Sequence, residues 1–263
     1  MPLSEILLAL ASGGLIGIVL GVVGGGGSIL AVPLLVYVVG IGSPHAAIGT
    51  ASVAVTANAL VSLAAHAGAG KVKWPCATVF AVLGVIGAAI GAALGKAFNG
   101  KHLLALFGVL MIGVGLAMLR RRRKASAPDV RLSRATASAL LPRLVPIATS
   151  TGLMAGFFGI GGGFLIVPGL VAATAMPLAY AVGTSLVVVS ALAMTTAASY
   201  ALSGYVQWEL AAVLILGGFG GTQLGILLGR RLAGYKGLLE RIFAVVVLLV
   251  GTYVIMQGIY RGA

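Results

Sequence analysis

Two glycine runs carry the residues best suited to chemistry: Gly24-Gly25-Gly26-Gly27-Ser28 and Gly159-Ile160-Gly161-Gly162-Gly163. Each leads into a Val-Pro pair, at 32–33 and 167–168. A glycine inside a helix costs about 1 kcal/mol relative to alanine, so clustered glycines in an apolar stretch predict a helix break. In hydrocarbon, broken backbone persists only where it lines a cavity or is covered by protein. A helix restarting after the break offers unbonded N–H groups and the positive end of its dipole, the ingredients of an anion site. The expected donors are the backbone amides of Gly25, Gly26, Gly27 and Ser28, and those of residues 160–164, which include Gly161, Gly162 and Gly163.

Side-chain donors stand a little further along each run. Thr50, Ser52 and Asn58 follow the first, and Thr184 and Ser185 the second. Neutral hydroxyls and amides suit an oxyanion that must be held loosely enough to leave. Asn58, Ser62 and His66 are four apart and share one helical side. The competing role for such groups is hydrogen bonding between helices or back to their own helix. The four acids, Glu5, Asp129, Glu209 and Glu240, sit near segment ends or in the linker, so no buried carboxylate relay is expected. His45 and His66 fall at segment borders and read as interfacial. No nucleophile–base motif, Walker sequence or metal-ligand spacing occurs, so no catalytic residue, cofactor or metal is expected. Cys76 is the single cysteine and reads as a small apolar filler.

The elements holding these residues must be membrane helices. Of 263 residues, 60% are hydrophobic and only 8% charged, against about 25% charged in a soluble domain. Mean hydropathy is +1.16. These values exclude a soluble enzyme, a disordered chain and a disulfide scaffold. Apolar segments fall at roughly 5–23, 28–41, 45–67, 74–95 and 102–119, then 145–158, 163–175, 179–203, 208–229 and 238–258. The second segment of each set is short and predicts a half-helix or re-entrant piece. Gly217, Gly221, Gly225 and Gly229, four apart, predict close helix packing.

The chain reads as one unit written twice. Gly24, Gly26, Leu30 and Pro33 lie over Gly159, Gly161, Leu165 and Pro168. Gly49-Thr50 lies over Gly183-Thr184, Gly70-x-Val72-x-Trp74 over Gly204-x-Val206-x-Trp208, and Gly84 through Gly95 over Gly218 through Gly229. The expected organisation is a first transmembrane repeat over 1–119, a basic cytoplasmic linker over 120–143 and a second repeat over 144–263. Eight of the 17 basic residues lie in that linker, and net charge is +13. Between apolar blocks such a run marks a cytoplasmic loop rather than a nucleic-acid surface. Five passes per half would invert the second copy and put Arg230 and Arg231 on the linker side; four would put them opposite. The inverted arrangement fits the charges better, although Lys71 and Lys73 balance Lys96 and Lys101 in the first half.

The doubled Gly-x-Gly-Gly-(Gly/Ser)-x-x-x-Val-Pro, with Gly-Thr and Gly-x-Val-x-Trp downstream, resembles the TauE/SafE sulfite exporter family, also called the 4-toluene sulfonate uptake permease family. The likeness covers nearly the whole chain outside the linker. It implies a multi-pass inner-membrane transporter of sulfite or organosulfonates, with protons as the coupling ion. The expectation is therefore an all-α polytopic protein, a secondary exporter of small anions, with access alternating as one half rocks against the other. An importer of sulfate-like or organic anions is the alternative within that class. A non-transporting scaffold recruiting a partner through the linker is the alternative outside it. The expected partners are the anion and the lipid bilayer, with no nucleic acid.

Overall fold

The computed structural model describes residues 2–120, 134–161, 163–231 and 236–260, and these are helical apart from short turns. In chain order they form α1 (Leu3–Val23), α2 (Gly25–Val39), α3 (Pro44–Gly68), α4 (Trp74–Ala97), α5 (Gly100–Arg120), α6 (Arg134–Phe158), α7 (Gly163–Thr174), α8 (Leu178–Leu202), α9 (Trp208–Arg231) and α10 (Lys236–Tyr260). The protein is a polytopic helical membrane protein. Among the described residues, six helices are long and apolar enough to cross a bilayer: α1, α3, α4, α5, α8 and α9. The 21 residues of α1 rise about 31 Å, one hydrocarbon thickness. α2 and α7 are short, as expected. α6 begins at Arg134 and passes through Pro142 and Pro146, so helix occupies the end of the stretch expected to be linker. Residues 121–133 of that stretch lie outside the described residues.

The helices are sorted by residue size. On α4, Val82, Ile86, Ile90 and Leu94 face outward, each about half exposed or more, while Gly84, Gly87, Gly91 and Gly95 are buried on the other side. Big apolar groups meet lipid and small ones let helix backbones touch, as in membrane packing generally. A Cβ at Gly87, Gly91 or Gly95 would strike the backbone of Thr149, Leu153 or Phe157 on α6. In the same way Gly13, Gly17 and Gly21 of α1 press on Leu214, Gly218 and Thr222 of α9, and Gly217, Gly221 and Gly225 press back on Leu10, Gly14 and Ile18. The glycines spaced by four on α9 are thus packing glycines.

These contacts also fix directions. Both registers advance together, so α1 runs parallel to α9 and α4 parallel to α6. Gly49 of α3 meets Tyr200 of α8 while Gly161 lies between Val55 and Ala193, and Gly108 and Gly115 of α5 meet Ile255 and Leu248 of α10. Those two pairs are antiparallel. α2 folds back along α1, with Gly27 against the backbone of Leu20 and Ile16. Counting α2 and α7 as short passes, the chain reverses direction at each turn. The end that receives the C-terminus of α5 and the start of α6 then also holds Lys71, Lys73, Arg231 and the start of α10; the other end holds Lys96 and Lys101. Lys71 and Lys73, balanced in the sequence against Lys96 and Lys101, fall on the linker's side.

Candidate functional site

Both glycine runs interrupt their helices. α1 stops at Val23, and Gly24 takes φ +77°, ψ −140°, a conformation closed to residues with a Cβ. Six residues of tighter 3-10 turn, Gly25–Leu30, follow with no side chain capping their start. In the second run Gly159 has φ +67°, and α7 restarts at Gly163. Gly162 lies outside the described residues. The void that a side chain would occupy is filled from across the molecule: Val182 of α8 at Gly24 and Ile48 of α3 at Gly159.

The two restarts meet. A Cβ on Gly163 would overlap the Gly25 carbonyl, and one on Gly25 would come 2.6 Å from Gly163 Cα. Gly25 also lies against Val189, and Gly26 beside Phe243 of α10. The positive ends of two short helices are therefore apposed inside the protein, each worth about half a unit charge. Ser52 ties the crossing together, its hydroxyl donating to Ile48 O at 2.8 Å and Gly159 O at 3.0 Å. Ser28 donates to Gly25 O at 2.9 Å, and Ser185 back to Val182 O at 2.8 Å. Gly25, Gly161, Gly163, Ser28 and Ser52 gather at this crossing, with Gly26 and Gly27 flanking it.

Thr50 and Thr184, expected as anion donors, each brace a loop through the hydroxyl oxygen. Thr50 Oγ1 accepts the Gln207 amide at 3.0 Å, and Thr184 Oγ1 accepts the Lys73 amide at 3.0 Å. Gly49 and Gly183 beside them let those loops come close, against Tyr205 O and Lys71 O. Each clasp joins the loop entering α9 or α4 to a helix of the other half. Asn58 has its carboxamide pressed against Gly218 of α9, one turn before Thr222, whose backbone meets Gly17 and Gly21 of α1 ahead of the first break. Neither amide atom has a hydrogen-bond partner, and the same is true of Ser62 Oγ and Thr222 Oγ1. Thr222 did not emerge from the sequence, because it is hidden among packing glycines.

His45 lies at the helix end holding Lys96. Its Nε2 reaches Gly95 O at 3.3 Å, and its ring stacks near Tyr200 and Tyr205. Lys96 donates to Ser199 O and to Ser203 Oγ. His66 Nδ1 bonds Ser62 O at 2.9 Å, so the ring secures its own helix.

A family model described as "Sulfite exporter TauE/SafE" matches residues 9–254. The chain belongs to the TauE/SafE family. Two relatives cover nearly its full length. A "Probable membrane transporter protein" of Xylella fastidiosa (strain 9a5c) is 47% identical over 98% of each chain. The "Probable membrane transporter protein YunE" of Bacillus subtilis (strain 168) is 29% identical over 93% of this chain and 97% of its own. No solved structure matches. The protein is thus a TauE/SafE membrane transporter, embedded in lipid and serving a small-molecule substrate rather than acting as an enzyme. The TauE/SafE match begins within α1 and ends within α10, so the paired breaks and the glycine zippers all lie inside it.

Proposed function

We infer that the chain exports small oxyanions, sulfite or organosulfonates, by alternating access around the apposed glycine breaks. One observation carries this reading: two helix starts converge backbone to backbone, at Gly25 and Gly163, in a chain whose four acids all lie away from the breaks in sequence. Two positive dipole ends left without a carboxylate favour an anion at that point. The family's description as a sulfite exporter agrees in substrate class. Backbone amides at 25–28 and 160–164 supply the donors in this reading, and Ser52 fixes the second break.

The halves act as inverted repeats. Exchanging α1 with α6, α3 with α8, α4 with α9 and α5 with α10 turns the α1–α9 pair into α6–α4 and leaves α3–α8 and α5–α10 as antiparallel self-pairs. Rocking then separates α1 with α9 from α6 with α4, since backbone contacts lock each of those pairs. These units cross the boundary between the two halves. The basic end, with the linker, faces the cytoplasm of a bacterial-type inner membrane. Protons, the coupling ion the family resemblance implies, would find no carboxylate at the breaks.

The test is sulfite efflux from proteoliposomes. Gly26→Leu, pointed at Phe243, should abolish flux while leaving the protein inserted. Undiminished efflux refutes the location. Counterflow that runs inward under the same gradient makes the protein an importer.

A further inference from the structure

Among the described residues, many buried hydroxyls answer their own helix. Ser28, Ser52, Thr174, Ser185, Ser190 and Thr196 each donate to a carbonyl three or four residues back. Ser62 and Thr222 do not, although both are fully buried, and Asn58, 1% exposed, leaves its amide nitrogen and oxygen unpartnered as well. Leaving a buried polar group unsatisfied costs about 1–3 kcal/mol, so three together are expensive unless something fills the place.

The three groups share one interface. Asn58 lies against Gly218, and Thr222 is one turn further along the same face of α9. Ser62 is one turn beyond Asn58 on α3. α3 and α9 advance together, from Gly49 beside Val206 to Asn58 beside Gly218, so Ser62 and Thr222 stand at matching heights. Gly17 and Gly21, in the last turns of α1 before the first break, close the third side against Thr222. The second half has no such cluster. In the register that lays Gly49 on Gly183 and Gly84 on Gly218, the matching residues are Leu192, Thr196 and Ala88.

We propose that Asn58, Ser62 and Thr222 form a one-sided subsite that receives the oxygens of the transported oxyanion beside the first break. This rests on the anion-transport reading above and deepens it. The two amide hydrogens and two hydroxyl hydrogens suit an anion with two or three oxygens, such as a sulfite or sulfonate group. They bind it without a fixed positive charge, which keeps release easy. An alkali cation would satisfy the oxygens and leave both Asn58 amide hydrogens unmade. Because only one half carries the donors, the anion is held off the pseudo-symmetry axis.

The experiment measures thermal stabilisation of purified protein in nanodiscs by sulfite, sulfate, thiosulfate, sulfoacetate and taurine. Wild type is compared with Asn58→Leu, Ser62→Ala and Thr222→Val. A ligand selective for the folded state raises the melting midpoint. Each variant should weaken the responding anion about tenfold or more. The ligand-free midpoint should stay level or rise, because an unpartnered polar group has been replaced by an apolar one. Unchanged anion affinity in all three variants overturns the subsite while leaving the transport reading intact, and makes the cluster a place for ordered water. Stabilisation by sodium chloride but not by choline chloride, lost in the variants, makes it a cation site and likewise overturns the assignment. If no anion stabilises wild type, the transport reading falls and the subsite falls with it.

Discussion

Gly163→Ala probes the crossing most directly. The new Cβ would overlap the Gly25 carbonyl oxygen and stand 2.5 Å from Gly25 Cα, whereas ordinary contact begins at 3.4 Å. Both obstacles are backbone, so no side chain can swing aside, and the starts of α2 and α7 must part by about 1 Å in a close-packed interior. Overpacking of this kind costs about 1–3 kcal/mol. For a chain of this size that lowers the melting midpoint by roughly 2–4 °C per kcal/mol. Ser28 occupies the corresponding place in the first run, so a side chain is compatible with such a helix start; at 163 the nearest obstacle is Gly25. Gly113→Ala in α5, where nothing lies within 4 Å, is the control and should stay within about 0.5 kcal/mol of wild type. The assay pairs thermal unfolding in nanodiscs with sulfite efflux from proteoliposomes. Gly163→Ala should lower both the midpoint and the flux. A variant with wild-type melting and wild-type flux would refute the apposition of the two breaks, and with it the electrostatic argument for an anion.

Two further outcomes follow from the frame around that crossing. Thr50→Val and Thr184→Val each strip an acceptor from a loop amide and should lower stability by about 1–2 kcal/mol; the double variant should come near the sum, since the clasps lie at opposite ends of the molecule. Anion affinity, read by thermal shift, should not move, and a drop would return these hydroxyls to the substrate. With Cys76→Ala as background, Asn99→Cys and Ser203→Cys should react with an impermeant maleimide on intact cells, and Lys71→Cys only after permeabilisation. The reverse pattern would place the basic linker outside.

Much of this architecture is legible in the sequence because its causes are local. Helix ends follow apolar runs, and clustered glycines break helices wherever they fall. The structure puts α3 at Pro44–Gly68 and α9 at Trp208–Arg231, within a few residues of the expected segments. What escaped depends on partners far away in the chain. Nothing near Thr50 announces that Gln207 will claim its hydroxyl, and nothing near Gly25 names Gly163. Thr222 sits in a run whose glycine spacing already has a packing explanation, so its idle hydroxyl has no sequence signature. The basic run over 120–143 interrupts the apolar profile, which places the start of this segment at 145. Yet α6 continues back to Arg134, where its early turns lie at the basic end of the bundle.

The glycine zipper between α1 and α9 has a consequence for biogenesis. α1 leaves the ribosome well before α9, and the surface it is built to grip is not made until some two hundred residues have followed it. Until then its flat glycine stripe faces lipid or a foreign helix, and α4 must wait in the same way for α6. Neither half can complete its packing alone, so assembly waits for synthesis of α9. A truncated product or a stalled nascent chain would show the quality-control machinery a bare helix face that the finished protein never displays.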